Sequence, residues 1–333
     1  MAGAMQMPSL RPEFVFSIIH AGVKSLAAAG WTPQSALRTL MNPLQAFILG
    51  VIEGITEYLP VSSTGHLLVA QHLMGIAGDD GTQAKAAADA FAVVIQGGAI
   101  LAVLGLYWKR VLQMIRGVLG KDAEGLKLAI AIIAGFLPAA VIGLILSHWI
   151  KAHLFSMWPV IAAWIIGGIA ILATAWWRRK NPPREGGLDL PHLTWQLALI
   201  IGFLQCVAMC PGTSRSLMTI CGGLLVGLSL SAAVEYSFLL GVLTLTAATV
   251  KEAGDKVKDF EPAYNSWFGG TKLMIHQYGI TPMLIGIVAA AVAAAIAVKW
   301  LVSYLQSHGL SIFGWYRIAL GLVVGVAMLV SYL

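Results

Sequence analysis

The chain is short of charge. Asp, Glu, Lys and Arg together make up 11% of its 333 residues, whereas hydrophobic residues reach 58% and mean hydropathy is +0.81. A soluble domain of this length needs more polar surface than that, so the composition is that of a membrane protein. The 21 basic residues are spread mainly over loops and are not clustered into a patch interleaved with aromatics; this excludes a nucleic-acid footprint and leaves the loop charges to set topology. Cysteine is equally sparse. Cys206, Cys210 and Cys221 fall in one apolar region and cannot all pair, which excludes a disulfide framework and marks them as small buried hydrophobes rather than metal ligands. The segment Met1–Arg11 lacks the basic, apolar, small-residue order of a cleavable signal, so internal spans are expected to direct insertion.

What is abundant is apolar sequence in long runs. Six stretches are long enough to cross a hydrocarbon core of roughly 30 Å: Ala90–Trp108, Leu126–Trp149, Trp158–Trp177, Ala232–Val250, Pro282–Gln306 and Ile312–Leu333. Two further regions, Leu44–Gly75 and Leu193–Gly227, are interrupted by Pro60-Val61-Ser62-Ser63-Thr64-Gly65 and by Pro211-Gly212-Thr213-Ser214-Arg215-Ser216. Each is expected to form a re-entrant helical hairpin, because such a break is tolerated only in protein or against a polar cavity. Gly50-Val51-Ile52-Glu53 parallels Gly202-Phe203-Leu204-Gln205 ahead of the two breaks. The predicted fold is therefore all-α and polytopic: six transmembrane helices plus two re-entrant hairpins in an inverted repeat, repeat one over 44–178 and repeat two over 193–333. Residues 41–333 are expected to form a single membrane domain. Residues 1–40 are an N-terminal extension in which Phe14–Gly30 fits an interfacial helix, with Met41 an alternative start.

Loop charge gives an orientation. Lys109, Arg110, Arg116, Lys121 and Lys127 surround one short loop, and Arg178, Arg179, Lys180 and Arg184 fill another on the same side. Both loops are expected to be cytoplasmic, with the Lys251–Thr281 connection, the termini and the mouth of the first hairpin outside.

Ionisable residues inside these apolar regions need a reason. Glu53 and Glu57 are four apart, stacked on one helical face with Gly50 and Gly54 alongside, where missing side chains leave room for a ligand or for close backbone contact. Paired carboxylates in poorly solvated surroundings either share a proton or hold a cation, here a divalent one such as Mg2+ or Ca2+; the bland alternative is bonding to neighbouring helices. Ser62, Ser63 and Thr64 open the helix after the first break, where free amides favour an anion, and His66 is one turn from Ser63 as a candidate acid or base. Ordinary capping would explain the serines equally well. His72 has no such setting and is assigned to core or interface. Arg215, flanked by Ser214 and Ser216, needs an anionic partner: either a phosphate or one of the glutamates. Together these residues supply the parts of phosphoryl transfer, and the absence of a Gly-Lys-Ser/Thr loop beside them disfavours nucleotide hydrolysis.

Two strings, LGVIEGITEYLPVSSTGH at Leu49–His66 and PGTSRSLMT at Pro211–Thr219, resemble the motifs of the undecaprenyl-diphosphate phosphatase family associated with bacitracin resistance. FAVVIQGGAILAV from Phe91, EYSFLLGV from Glu235 and the WYR string ending in Arg317 support the resemblance. It implies hydrolysis of undecaprenyl diphosphate to the monophosphate carrier lipid and inorganic phosphate, in the bacterial inner membrane, with the site facing the periplasm. Carried over by position, it implies catalytic roles for Ser63, His66, Glu53, Glu57 and Arg215. Substrate binding is expected from Ser62, Thr64, Gln205, Thr213, Ser214, Ser216 and Thr219, and metal binding from Glu53 and Glu57. Ser63 is the favoured nucleophile, with a metal-activated water or His66 as alternatives. Expected partners are undecaprenyl diphosphate and membrane lipid, with homodimerisation left open. Leu217-Met218 and Ala92 depart from the family pattern. The rival reading is an inverted-repeat transporter or lipid flippase, which needs no nucleophile. A second class of lipid phosphatases shares a Ser-Thr-Gly-His-like string, but the histidine it requires after the arginine is missing here. Arg317, near the start of the last span, is expected to snorkel.

Overall fold

The computed structural model describes residues 41–76, 82–183, 186–254 and 264–332; the expectations for residues 1–40 lie outside the described residues. Among the described residues the regular structure is helical. Six helices are long and apolar enough to cross a membrane: α3 (Gln83–Leu106), α5 (Ala123–Leu154), α6 (Met157–Lys180), α9 (Leu230–Gly254), α11 (Ile280–Ser307) and α12 (Ser311–Tyr332). They correspond to the six predicted spans. α3 starts at Gln83, ahead of the predicted Ala90, because the Thr82 side chain accepts from Lys85 N and caps a polar first turn. Two short helices have no long apolar run to announce them. α4 (Trp108–Val118) gathers Lys109, Arg110, Gln113 and Arg116 on one face, and α10 (Gly269–Tyr278) lies in the connection before α11.

The two interrupted regions are pairs of short helices. α1 (Pro43–Tyr58) and α2 (Ser63–Leu73) flank the first break; α7 (Trp195–Cys206) and α8 (Arg215–Leu225) flank the second, α7 being followed by one 3-10 turn, Val207–Met209. At 1.5 Å per residue, α1 measures about 24 Å and the others about 16–18 Å, short of a hydrocarbon core of roughly 30 Å. α1 is fixed at its start by Pro43 and a capping box in which Asn42 and Gln45 bond each other's backbone amides. It stops at Pro60, which has no N–H to continue the ladder. Ser62 and Ser214, the residues before α2 and α8, both have positive φ, 74° and 76°. For a serine this region is uncommon, and it recurs at corresponding positions of the two breaks.

Packing brings the halves of the chain together. Gly50 and Gly54 on α1 face α11, where a Cβ at either would run into the backbone oxygens of Gly286 and Ala290. Of the two roles expected for these glycines, the structure uses close backbone contact. Gly98 of α3 meets the Ile287 oxygen of α11 in the same way. α12 lies along α6, α5 along α7, and α9 along α8 and α3. One apolar cluster includes Tyr58, Leu59, Val61, Leu217, Ile220 and Phe238; a second, around Leu49, Leu67, Phe91 and Ile95, supports the other side of α1 and α2. The three cysteines are free: Cys221 is buried, Cys206 and Cys210 half-buried.

Candidate active site

The C-terminal end of α1, the first turn of α2 and the start of α8 meet in the interior. Glu57 joins them. Its Oε2 accepts a hydrogen bond from Ser63 Oγ at 2.5 Å, and its Oε1 accepts one from Arg215 Nη2 at 3.3 Å. Both members of the ion pair are nearly inaccessible, so the attraction acts with little solvent screening. Gln96 of α3 donates to Glu57 Oε2 at 3.4 Å and is itself bonded by Thr249 of α9 at 3.0 Å. Arg215 also donates to Ser237 O at 2.8 Å and lies 5.2 Å from the centre of the Tyr58 ring, a cation–π arrangement. Space for its head comes from Gly241, where a Cβ would overlap the guanidinium.

Glu53, one turn before Glu57, is 1% exposed; no donor reaches either oxygen of its carboxylate, so a proton shared with the adjacent Glu57 carboxyl or a bound cation is what would satisfy it. Buried polar atoms are nearly always paired, so exceptions carry information. Among the described residues six buried side-chain atoms lack partners, and four belong to this one place: both oxygens of Glu53, Tyr58 Oη and Arg215 Nε. Free acceptors and a free cationic donor therefore stand within one site, which is a fit for a ligand carrying both a cation and an anion. No three His, Cys, Asp or Glu side chains among the described residues group as a metal centre on their own.

The remaining candidate residues divide. Ser62 is buried and its carbonyl accepts from His66 Nδ1 at 2.6 Å, which makes Nδ1 the protonated nitrogen of neutral His66. Nε2 then faces Tyr316, whose hydroxyl donates to it at 2.8 Å. His66 is thus engaged on both sides, and the hydroxyl of Ser63 is held by Glu57 and not by the histidine. Thr64 is exposed, at the start of α2. Ser214 caps α8 by accepting from Leu217 N at 3.3 Å, and its Oγ is 2.9 Å from that of Ser216, which donates to Leu59 O at 2.8 Å across the breaks. Thr219 turns to Arg215 O and to Ser237 Oγ, 2.6 Å away. Thr213 is buried beside the second break. Gln205 bonds Gly135 of α5 and Thr244 of α9. His72 is exposed.

A family model described as bacitracin resistance protein BacA matches residues 46–323. The chain belongs to that family. It is 43% identical over 279 residues to an undecaprenyl-diphosphatase of Sorangium cellulosum, the alignment covering 84% of each chain. It is 43% identical over 285 residues to undecaprenyl-diphosphatase 2 of Rhodospirillum rubrum, covering 86% of this chain and 94% of the relative. An undecaprenyl-diphosphatase of Methylococcus capsulatus is 42% identical over 281 residues, 84% of this chain and 93% of its own. With six apolar spanning helices, this member of the BacA family is a multi-pass membrane protein.

One expectation is overturned. Arg317 does not snorkel: it has 0% exposure and lies against the two breaks, because Gly167 of α6 opens a path for its side chain. Sequence reasoning also passed over Gln96 and Tyr316, although both stand in strings that carried the family resemblance. Ser237 and Gly241, two and six residues after Glu235, escaped for lack of any charge.

Proposed function

We propose that this protein is an undecaprenyl-diphosphate phosphatase, releasing inorganic phosphate and returning the monophosphate carrier lipid to peptidoglycan synthesis, an activity that opposes bacitracin. The observation that carries the reading is the contact of Ser63 Oγ with Glu57 Oε2, itself paired to Arg215. A transporter needs anion and cation sites but no hydroxyl poised on a base, and none of the relatives named above is a transporter.

Ser63 Oγ attacks the terminal phosphorus while its proton passes to Glu57. The bond between that phosphorus and the bridging oxygen breaks, and undecaprenyl phosphate leaves with the electron pair. Water then attacks the phosphoserine, Ser63 regains a proton, and inorganic phosphate departs. Arg215 stabilises the charge on the equatorial oxygens, supported by the first-turn amides of α2 and α8, and this electrostatic contribution is the largest one expected. His66, bonded on both nitrogens, serves by shaping the first turn of α2.

The partnerless oxygens of Glu53 fit a divalent cation, Mg2+ or Ca2+, which Glu53 and Glu57 would hold and which would supply neutralisation of diphosphate charge. Loop charge supports a site open to the periplasmic face, family membership supports a location in the bacterial inner membrane, and the lengths of the four short helices, below the hydrocarbon thickness, support re-entrant segments. A detergent-purified preparation should release phosphate from a prenyl diphosphate, and Ser63→Ala should abolish release. Wild-type release that survives this substitution would remove Ser63 as nucleophile; no release by the wild-type protein would remove the enzyme reading.

A further inference from the structure

Arg317 is fully buried, and nothing in the reaction above uses it. Its Nη2 donates to Gly212 O and to Ala163 O, both at 2.8 Å; Nη1 donates to Pro60 O and Nε to Trp164 O, each at 3.3 Å. The acceptors lie on three separate pieces of chain: the first break, the second break and α6. Among the described residues no carboxylate forms a salt bridge with it. A desolvated guanidinium ordinarily has an anion as partner, and here it has only carbonyl dipoles, so the cost of burying it calls for a purpose.

That purpose follows from where the carbonyls are. In the first break, Leu59 O is held by Ser216, Pro60 O by Arg317, Val61 O by Trp164 Nε1 at 3.1 Å, and Ser62 O by His66. Each carbonyl is committed to a side-chain donor and so is kept from facing an incoming phosphate, which it would repel, while the first-turn amides of α2 remain for the anion. Of these four donors, Arg317 also holds Gly212 O, three residues before Arg215, just as Pro60 is three residues before Ser63. Its planar fork fixes both distances at once, which a lysine ammonium cannot do.

We propose that Arg317 is a positioning residue for the phosphatase reaction, fixing the two breaks against each other and thereby setting Ser63 and Glu57 at their working distance from Arg215. The proposal rests on the phosphatase reading, and its test has an arm independent of it. Arg317→Lys should lower kcat at least about tenfold with KM within about threefold of wild type, since a displaced constellation loses transition-state rather than ground-state contacts. Gly167→Ala, whose methyl would lie 2.8 Å from the guanidinium carbon, should do the same without touching Arg317 chemically. Gly105→Ala, whose methyl meets nothing within 4 Å, should not. Adding Ser216→Ala, which removes the other bond between the breaks, should cost more in the Arg317→Lys background than in wild type. Independently of catalysis, amide hydrogen exchange over 59–66 and 211–218 should accelerate in both Arg317→Lys and Gly167→Ala relative to Gly105→Ala.

Unchanged exchange at both breaks in either folded variant would overturn the clamp, whatever the wild-type activity. So would full kcat per folded molecule with only a lowered melting temperature, the signature of a purely structural arginine. A wild-type protein that releases no phosphate but whose breaks loosen in these variants would retain the clamp and discard the phosphatase reading.

Discussion

Gly241 is the most economical way to test the Glu57–Arg215 pair, because changing it alters neither charge nor any hydrogen-bonding side chain. A Cβ built there would stand 2.5 Å from Arg215 Cζ and 2.8 Å from Nη2. Ordinary contact needs about 3.5–4.0 Å, so the guanidinium must retreat by roughly an ångström. The retreat is away from α9, so it stretches the 2.8 Å bond from Nη1 to Ser237 O on that helix and displaces Nη2 from its 3.3 Å position against Glu57 Oε1. A misplacement of this size costs on the order of 10²-fold in rate, and loss of a transition-state donor costs a similar 10²–10³-fold. Gly241→Ala is therefore expected to lower kcat/KM for a prenyl diphosphate about 10²-fold in a detergent phosphate-release assay. The decisive control is the Arg215→Lys background, where the slimmer ammonium leaves space for the methyl. There Gly241→Ala should have little further effect, because both changes act on one group. Activity of Gly241→Ala within threefold of wild type, or an equal loss in both backgrounds, would refute the geometry.

Other outcomes follow from the same contacts. Glu57→Gln removes the base and the partner of Arg215 together, and steady-state assays should show a loss of roughly 10³-fold or more, close to that of Ser63→Ala because the residues act as a unit. Tyr316→Phe deletes one hydrogen bond to His66, worth about 1 kcal/mol, and should slow release roughly fivefold, with His66→Gln giving no further loss from the same substitution. Chelation should suppress release, and Glu53→Gln should raise the half-maximal cation concentration about tenfold or more in a titration of Mg2+ or Ca2+. Ser62→Gly relieves a positive φ at a position whose side chain makes no cap bond; detergent melting should show no loss of stability, while phosphate release should fall with the loss of a substrate-binding hydroxyl.

How much of this was legible in sequence depended on scarcity. In an apolar chain each ionisable residue stands out, so Glu53, Glu57 and Arg215 could be picked out before their distances were known, and six spans could be placed by length alone. The pairing of Glu57 with Arg215 was one of two partners weighed for that arginine, and the structure contains it. Three things could not be decided by spacing. Ser63 has both Glu57 and His66 within a turn or two, and only coordinates distinguish which accepts its proton. Tyr316 reaches His66 across 250 positions, with no periodicity to connect them. Arg317 sits in a string compatible with snorkelling or burial alike; the difference is made by Gly167 on another helix, a residue whose role is to be absent.

The two arginines also explain why strained serines persist. Ser62 and Ser214 each turn the chain through positive φ, at a cost of about 1–3 kcal/mol for a non-glycine residue. Each turn ends in a helix whose first residue, Ser63 or Arg215, belongs to the Glu57 network. A relaxed backbone would redirect those first residues, so the strain has to be offset by contacts on the carbonyl side of each break. Ser216, Trp164 and His66 supply such contacts for the first break, and Arg317 supplies one for each. The charge inside the site and the charge behind it therefore have different tasks. Arg215, with Nε unpaired, is left able to meet an anion, whereas Arg317 is surrounded by carbonyls and holds backbone. Exchanging either for lysine removes the same charge geometry but should fail differently: Arg215→Lys by weakening the response to the phosphate, Arg317→Lys by loosening the frame that presents it.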